Sequence, residues 1–147
     1  IDGDRKPYPI VRDPGVQLDG KVSPNGRWLA YTNRAATLRT EVFVRDLATR
    51  GKRQISIAGG RLARWRDDGG ELFYLAADGN LMAVPFEANA TSVQRGVPET
   101  LFPTGLSFLG GGSFSVSAGG RQFLNPVADG SAPSIVVVTN WPAMVKP

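Results

Sequence analysis

Short runs of alternating or wholly apolar residues, each closed by a turn-forming pair, make up most of this chain. Residues 27–32 and 71–75 are rich in aromatic and aliphatic side chains, and 41–46, 80–86 and 134–139 carry the same bias. Such runs predict strands, and the unbroken β-branched stretch Ile135-Val-Val-Val-Thr139 predicts one covered on both faces. Shorter strands are expected at residues 53–57 and 99–102. Apolar residues do not recur at helical spacing over a useful window, so helices are not expected.

The runs repeat. Val22-Ser-Pro-Asn-Gly26-Arg-Trp-Leu-Ala-Tyr31 returns as Trp65-Arg-Asp-Asp-Gly69-Gly-Glu-Leu-Phe-Tyr74, with the glycines 43 residues apart and Leu29/Leu72 and Tyr31/Tyr74 in register. A third copy, Val116-Ser-Ala-Gly-Gly120-Arg-Gln-Phe-Leu124, follows 51 residues later, and Leu109-Gly-Gly-Gly-Ser113 absorbs the extra length. Asn25-Gly26, Asp68-Gly69 and Asp78-Gly79 are favoured pairs where a turn needs positive φ, and Gly120 holds that place in the third copy. Four strands per period of about 40–50 residues is the signature of a propeller blade. The fold expected is therefore all-β, with about three four-stranded blades. Residues 16–58 form the first, 59–108 the second, and 109–147 a third with only three strands. A β-sandwich is the runner-up, and the repeat argues against it.

Propellers close with roughly four to eight blades, and three would leave two sheet faces uncovered. Residues 1–15 contain Lys6-Pro-Tyr-Pro-Ile-Val-Arg12, which reads as the outer strand of a preceding or partner blade, where prolines are tolerated. The expectation is half of a six-bladed ring, completed by a second copy. The chain begins at Ile1 rather than Met, so it also reads as a processed or trimmed piece whose cuts the same deficit would mark.

Composition narrows the chemistry. The 147 residues contain no Cys and no His, so disulfides, a Ser-His-Asp triad, a Cys nucleophile and ordinary zinc or copper sites are excluded. No metal and no cofactor is expected. No apolar run is long enough to span a membrane. Residues 1–66 carry fourteen Lys and Arg against six Asp and Glu, whereas residues 67–147 carry three against seven. The basic half lacks the interleaved aromatics of single-strand binders, and nucleic acid is not an expected partner.

Candidate residues are few. Adjacent carboxylates Asp67 and Asp68 point to opposite faces of a strand and read as turn chemistry. Gly110-Gly-Gly112 lacks the lysine and helix of a phosphate loop. Trp28, Trp65 and Trp141 read as packing between blades, and Asn89-Ala-Thr91 fits a glycosylation sequon. Arg61, Arg64 and Arg66 form the polar cluster of most interest. They fall on the first strand of the second blade, near the axis of a propeller, where arginines favour carboxylates or phosphates. The competing reading pairs them with Asp67 or Glu71.

Taken together, Ser23-Pro-Asn-Gly-Arg-Trp-Leu-Ala-Tyr-Thr32 and Glu41-Val-Phe-Val44 resemble the WD40-like (PD40, TolB-type) propeller repeat. Gly59-Gly60, Arg64-Trp-Arg-Asp-Asp-Gly69, Glu71-Leu-Phe-Tyr74, Leu81-Met-Ala-Val84, Leu101-Phe102 and Asn140-Trp141 extend the likeness to propeller domains attached to bacterial serine/threonine protein kinases. Kinase activity does not follow, because the kinase motifs themselves are absent. The resemblance implies a non-catalytic scaffold or sensor that binds a protein, peptide or small ligand, and, by analogy, an extracytoplasmic (periplasmic) location. The alternatives are a hydrolase or lyase working with carboxylates alone, and a structural half-propeller that binds nothing.

Overall fold

A computed structural model of the chain describes residues 7–35, 37–88, 93–108, 112–128 and 133–139. Trp141, the Asn89–Thr91 sequon and Gly110–Gly111 lie outside them. Strands β1 (Val16–Val22), β2 (Trp28–Arg34), β3 (Thr40–Asp46) and β4 (Lys52–Gln54) form one antiparallel sheet in chain order. A second sheet joins β5 (Gly60–Trp65), β6 (Glu71–Ala76), β7 (Asn80–Ala88) and β8 (Val93–Arg95), and β9 (Glu99–Pro103) also pairs with β7. The third sheet contains β10 (Ser115–Val116), β11 (Gln122–Ala128) and β12 (Pro133–Thr139), with a short 3-10 turn at Ala118–Gly120.

The turn chemistry explains where the strands stop. Gly26, Gly69 and Gly79 hold φ of 73°, 75° and 84°. Before each glycine an Asx carboxyl or amide oxygen accepts an amide two residues on: Asn25 from Arg27 (3.1 Å), Asp68 from Gly70 (2.8 Å) and Asp78 from Asn80 (3.0 Å). This replaces a ladder bond that the reversing chain has lost.

The sheets stack face to face, and the period of two along each strand decides which residues meet. In the second sheet Leu72, Tyr74, Val84 and Phe86 pack on Trp28, Ala30, Val42 and Val44 of the first. The alternate residues Phe73, Leu75, Leu81 and Ala83 join Phe123 of the third sheet and Phe114 just before it. Phe73 and Leu72 are both fully buried although they are neighbours, as a sheet covered on both faces requires. Edge-to-face ring pairs lock both layers. Phe86 lies 5.6 Å from Trp28 and 4.8 Å from Trp65, and Phe73 lies 5.0 Å from Phe123. The expectation of an all-β chain of propeller-type blades is borne out.

Some details differ from expectation. The strand expected at residues 53–57 is β4, Lys52–Gln54. The chain leaves the regular ladder at Ser56, whose hydroxyl accepts the Val42 amide at 2.8 Å and donates to the buried Glu41 carboxylate. The outer position of the second blade is filled in two pieces: β9 pairs with residues 80–83 of β7, and β8 with residues 86–88. Residues 7–15, part of the stretch 1–15 expected as the outer strand of a preceding or partner blade, pair with no strand of this chain. They are pinned to the first sheet by Asp13, which accepts from the Tyr31 hydroxyl, from Arg45 Nη2 at 2.8 Å and from Lys52 Nζ at 2.9 Å.

Candidate functional site

The first strands of the first two blades share an irregularity. Pairing of β1 with β2 slips between Leu18 and Lys21, and pairing of β5 with β6 slips between Arg61 and Arg64. Inside these bulges Asp19 and Leu62 hold φ of 56° and 58°. Left-handed backbone is costly for a residue with a Cβ, above all for leucine. The burial of Leu62 among Phe73, Leu75 and Phe114 offsets that strain.

The bulge sorts the three candidate arginines into separate roles. Arg61 Nη1 donates to the Phe108 carbonyl at 2.6 Å, tying β5 to the segment leading into the third blade. Arg66 lies past the strand end and forks between Asp68 (2.6 Å) and Glu71 (2.7 Å). The hydrogen bond that Arg66 donates to Asp68 is the main cause raising its guanidinium above the ordinary range, and the same bond lowers the Asp68 carboxyl. Arg66 also lies flat on the third blade: a Cβ added at Gly120 (φ 68°) would come within 2.9 Å of its Cδ. Asp67 turns the other way and accepts the Gly119 amide at 2.9 Å. The two adjacent carboxylates therefore serve different sheets.

Arg64 differs from both. Its Nη1 donates to the carbonyl of its own neighbour Ala63 at 2.9 Å, and its guanidinium sits 5.6 Å from the Phe114 ring centre. Among the described residues no carboxylate lies within ion-pair distance of it. Burial lowers its pKa from the ordinary value, and the charge of Asp19 across the bulge opposes that shift. A half-buried guanidinium beside an aromatic ring, with donors left over, is equipped to receive a carboxylate or phosphate oxygen. Three arginines on one strand thus yield one candidate for a ligand.

The remaining carboxylates mostly hold the fold. Asp46 accepts the Ala48 amide at 2.8 Å and Arg27 Nη2 at 3.0 Å in the β3–β4 turn. Glu41 accepts from Ser56, from the Gly59 amide and from Arg39 Nε at 3.0 Å. The sequence reading missed the Asp13 cluster and the Asp19–Arg64 relation. Asp13 stands in no motif. Asp19 and Leu62 sit 43 positions apart, but their side chains are too unlike to draw attention.

No family model matches the sequence, and no curated protein does. Several solved structures are similar, two of them as follows. Crystalline TolB from Acinetobacter baumannii matches at 16% identity with a TM-score of 0.46, over 88% of this chain and 42% of that one. A Clostridium novyi NT protein described as a conserved lipoprotein matches at 12% identity with a TM-score of 0.53, over 90% of this chain and 92% of that one. This chain therefore spans less than half the length of the TolB chain it matches. The Clostridium likeness concerns the fold alone, and it accompanies what the stacked sheets establish: an all-β architecture of propeller-type blades.

Proposed function

We propose that the chain is a propeller-type binding module without catalytic activity, and that Arg64 on β5 receives an acidic group of its ligand. The observation that carries this reading is the state of Arg64, half-buried, flanked by Phe114 and without a carboxylate partner among the described residues. The ligand class is a carboxylate or phosphate on a protein, peptide or small molecule. The absence of His and Cys supports a non-catalytic role, as does the structural use of Asp13, Glu41, Asp46, Asp67 and Asp68.

Self-association belongs to the same proposal: two copies, each supplying three blades, complete one six-bladed ring. An extracytoplasmic location and a relation to kinase-attached propellers also belong here. The first is supported by the TolB-type repeat pattern and by the description of the Clostridium protein as a lipoprotein, the second by the sequence pattern alone. Calorimetric titration with an acidic peptide and with inorganic phosphate tests the site. Replacing a charge-assisted contact of about 1.5–3 kcal/mol in R64A should weaken binding roughly ten- to a hundredfold. Equal affinity of R64A and wild type would remove the site.

A further inference from the structure

The three blades can be superposed position by position through their registers. The central pair is Ala30 opposite Val44 in the first blade, Phe73 opposite Ala83 in the second, and Leu124 opposite Val137 in the third. Ala30 and Val44 are 0% and 2% exposed beneath the second blade, and Phe73 and Ala83 are 0% and 2% exposed beneath the third. Leu124 and Val137 are 42% and 55% exposed. They flank a cleft of about 290 Å³ that Ser115 and Gln122 also line. The third blade thus carries the apolar pair with which the earlier blades cover their successors, and this pair is left open.

The complementary face lies at the other end of the stack. Trp65 opposite Leu72 and Val116 opposite Phe123 are the pairs with which the second and third blades face back onto their predecessors. The corresponding pair in the first blade is Val22 opposite Leu29. Val22 is 54% exposed and Leu29 is partly exposed. The Asp13 cluster occupies only the part of this face over Tyr31, Arg45 and Lys52.

We infer that the open face of the third blade, at Leu124 and Val137, docks on the first blade of a second copy, at Val22 and Leu29. The inference rests on the self-association reading above and specifies its two faces. Both junctions within the chain set the forward pair of one blade against the backward pair of the next, and this favours head-to-tail order over the pairing of two third blades. A head-to-tail contact whose rotation closes gives a ring rather than a filament.

The test is solution mass by sedimentation equilibrium, on the wild-type chain and on V22K, L124D and the V22K/L124D double variant. Both positions are exposed, and far-UV circular dichroism checks that each variant folds. The wild type should give twice 15.7 kDa. Each single variant should weaken the dimer at least tenfold, and the double variant, which places Lys opposite Asp at both junctions, should recover most of the loss at low salt. A wild type that stays monomeric removes self-association itself. A dimer that survives both single variants leaves self-association standing and overturns these faces. Loss in L124D without loss in V22K, or no recovery in the double variant, overturns the head-to-tail order.

Discussion

Asp19 and Leu62 occupy the same place in consecutive blades, 43 residues apart, and both hold left-handed backbone, at φ of 56° and 58°. The bulge recurs while the side chain changes from a carboxylate to a buried leucine. It is therefore a property of the repeating strand and not of either residue.

This yields a test of strain against packing. Leu62→Ala loses a buried side chain and should cost about 2–4 kcal/mol. In ordinary strand backbone glycine would be worse than alanine by about 0.5–1 kcal/mol. At φ of 58° that order should vanish or reverse, so L62G should be at least as stable as L62A in urea unfolding.

Gly120 and Gly26 both hold positive φ, yet their surroundings differ. A Cβ at Gly26 would meet nothing within 4 Å, whereas at Gly120 it would come within 2.9 Å of Arg66 and 3.1 Å of Phe73. G26A should cost about 1–2 kcal/mol from backbone strain alone. G120A should cost more, because Arg66 must shift and its ion pairs with Asp68 and Glu71 move with it. Thermal unfolding of the two variants checks the order.

Phe86 joins the first two blades through edge contacts with Trp28 and Trp65. Phe86→Ala should cost about 3–5 kcal/mol. It should also shift tryptophan emission to the red before global unfolding, because Trp28, 5% exposed in the folded chain, loses its cover.

The Asp13 cluster gives a dependence on pH at both ends of the scale. Burial acts to raise the Asp13 pKa, but hydrogen bonds from Tyr31 and Lys52 and the charges of Lys52 and Arg45 outweigh it, and the net shift is downward. A carboxyl with a depressed folded pKa contributes stability above its unfolded pKa, and that contribution is lost as pH falls through the folded value. D13N should therefore be less stable than wild type near neutrality, with the gap narrowing below about pH 4. Burial and the bond to Asp13 push Tyr31 up to about 12. Its contribution is complete below the ordinary tyrosine value of about 10 and fades as pH rises through the folded value. Ultraviolet titration should find a tyrosine that ionises near pH 12 in wild type and lower in D13N.

The glycine-turn echo was legible because turn chemistry is local: Asn25-Gly26, Asp68-Gly69 and Asp78-Gly79 each set their own backbone. The continuous run Ile135–Thr139 read as a strand covered on both faces, but its Val137 is 55% exposed within this chain, and the sheet covered on both sides is the middle blade. The bulge at Arg61–Arg64 was not legible, since nothing in that stretch departs from an ordinary strand composition, whereas the bulge in β1 carries the turn-forming pair Asp19-Gly20. The roles of the arginines were equally hidden. Arg61, Arg64 and Arg66 look alike in sequence, and only the bulge and the strand end separate a tie to Phe108, an open guanidinium and a fork on Asp68 and Glu71. Asp13 reaches Arg45 and Lys52 across 32 and 39 positions, a distance no local pattern encodes.

Face-to-face stacking of separate sheets is the central feature of the fold, and proton–proton NOEs in aromatic-labelled protein probe it most directly. The account predicts cross-peaks from Phe86 to both Trp28 and Trp65, together with cross-peaks from Phe73 to Phe123. Absence of the Trp28–Phe86 contact, with backbone NOEs joining β4 to β5 in one continuous sheet, would contradict it.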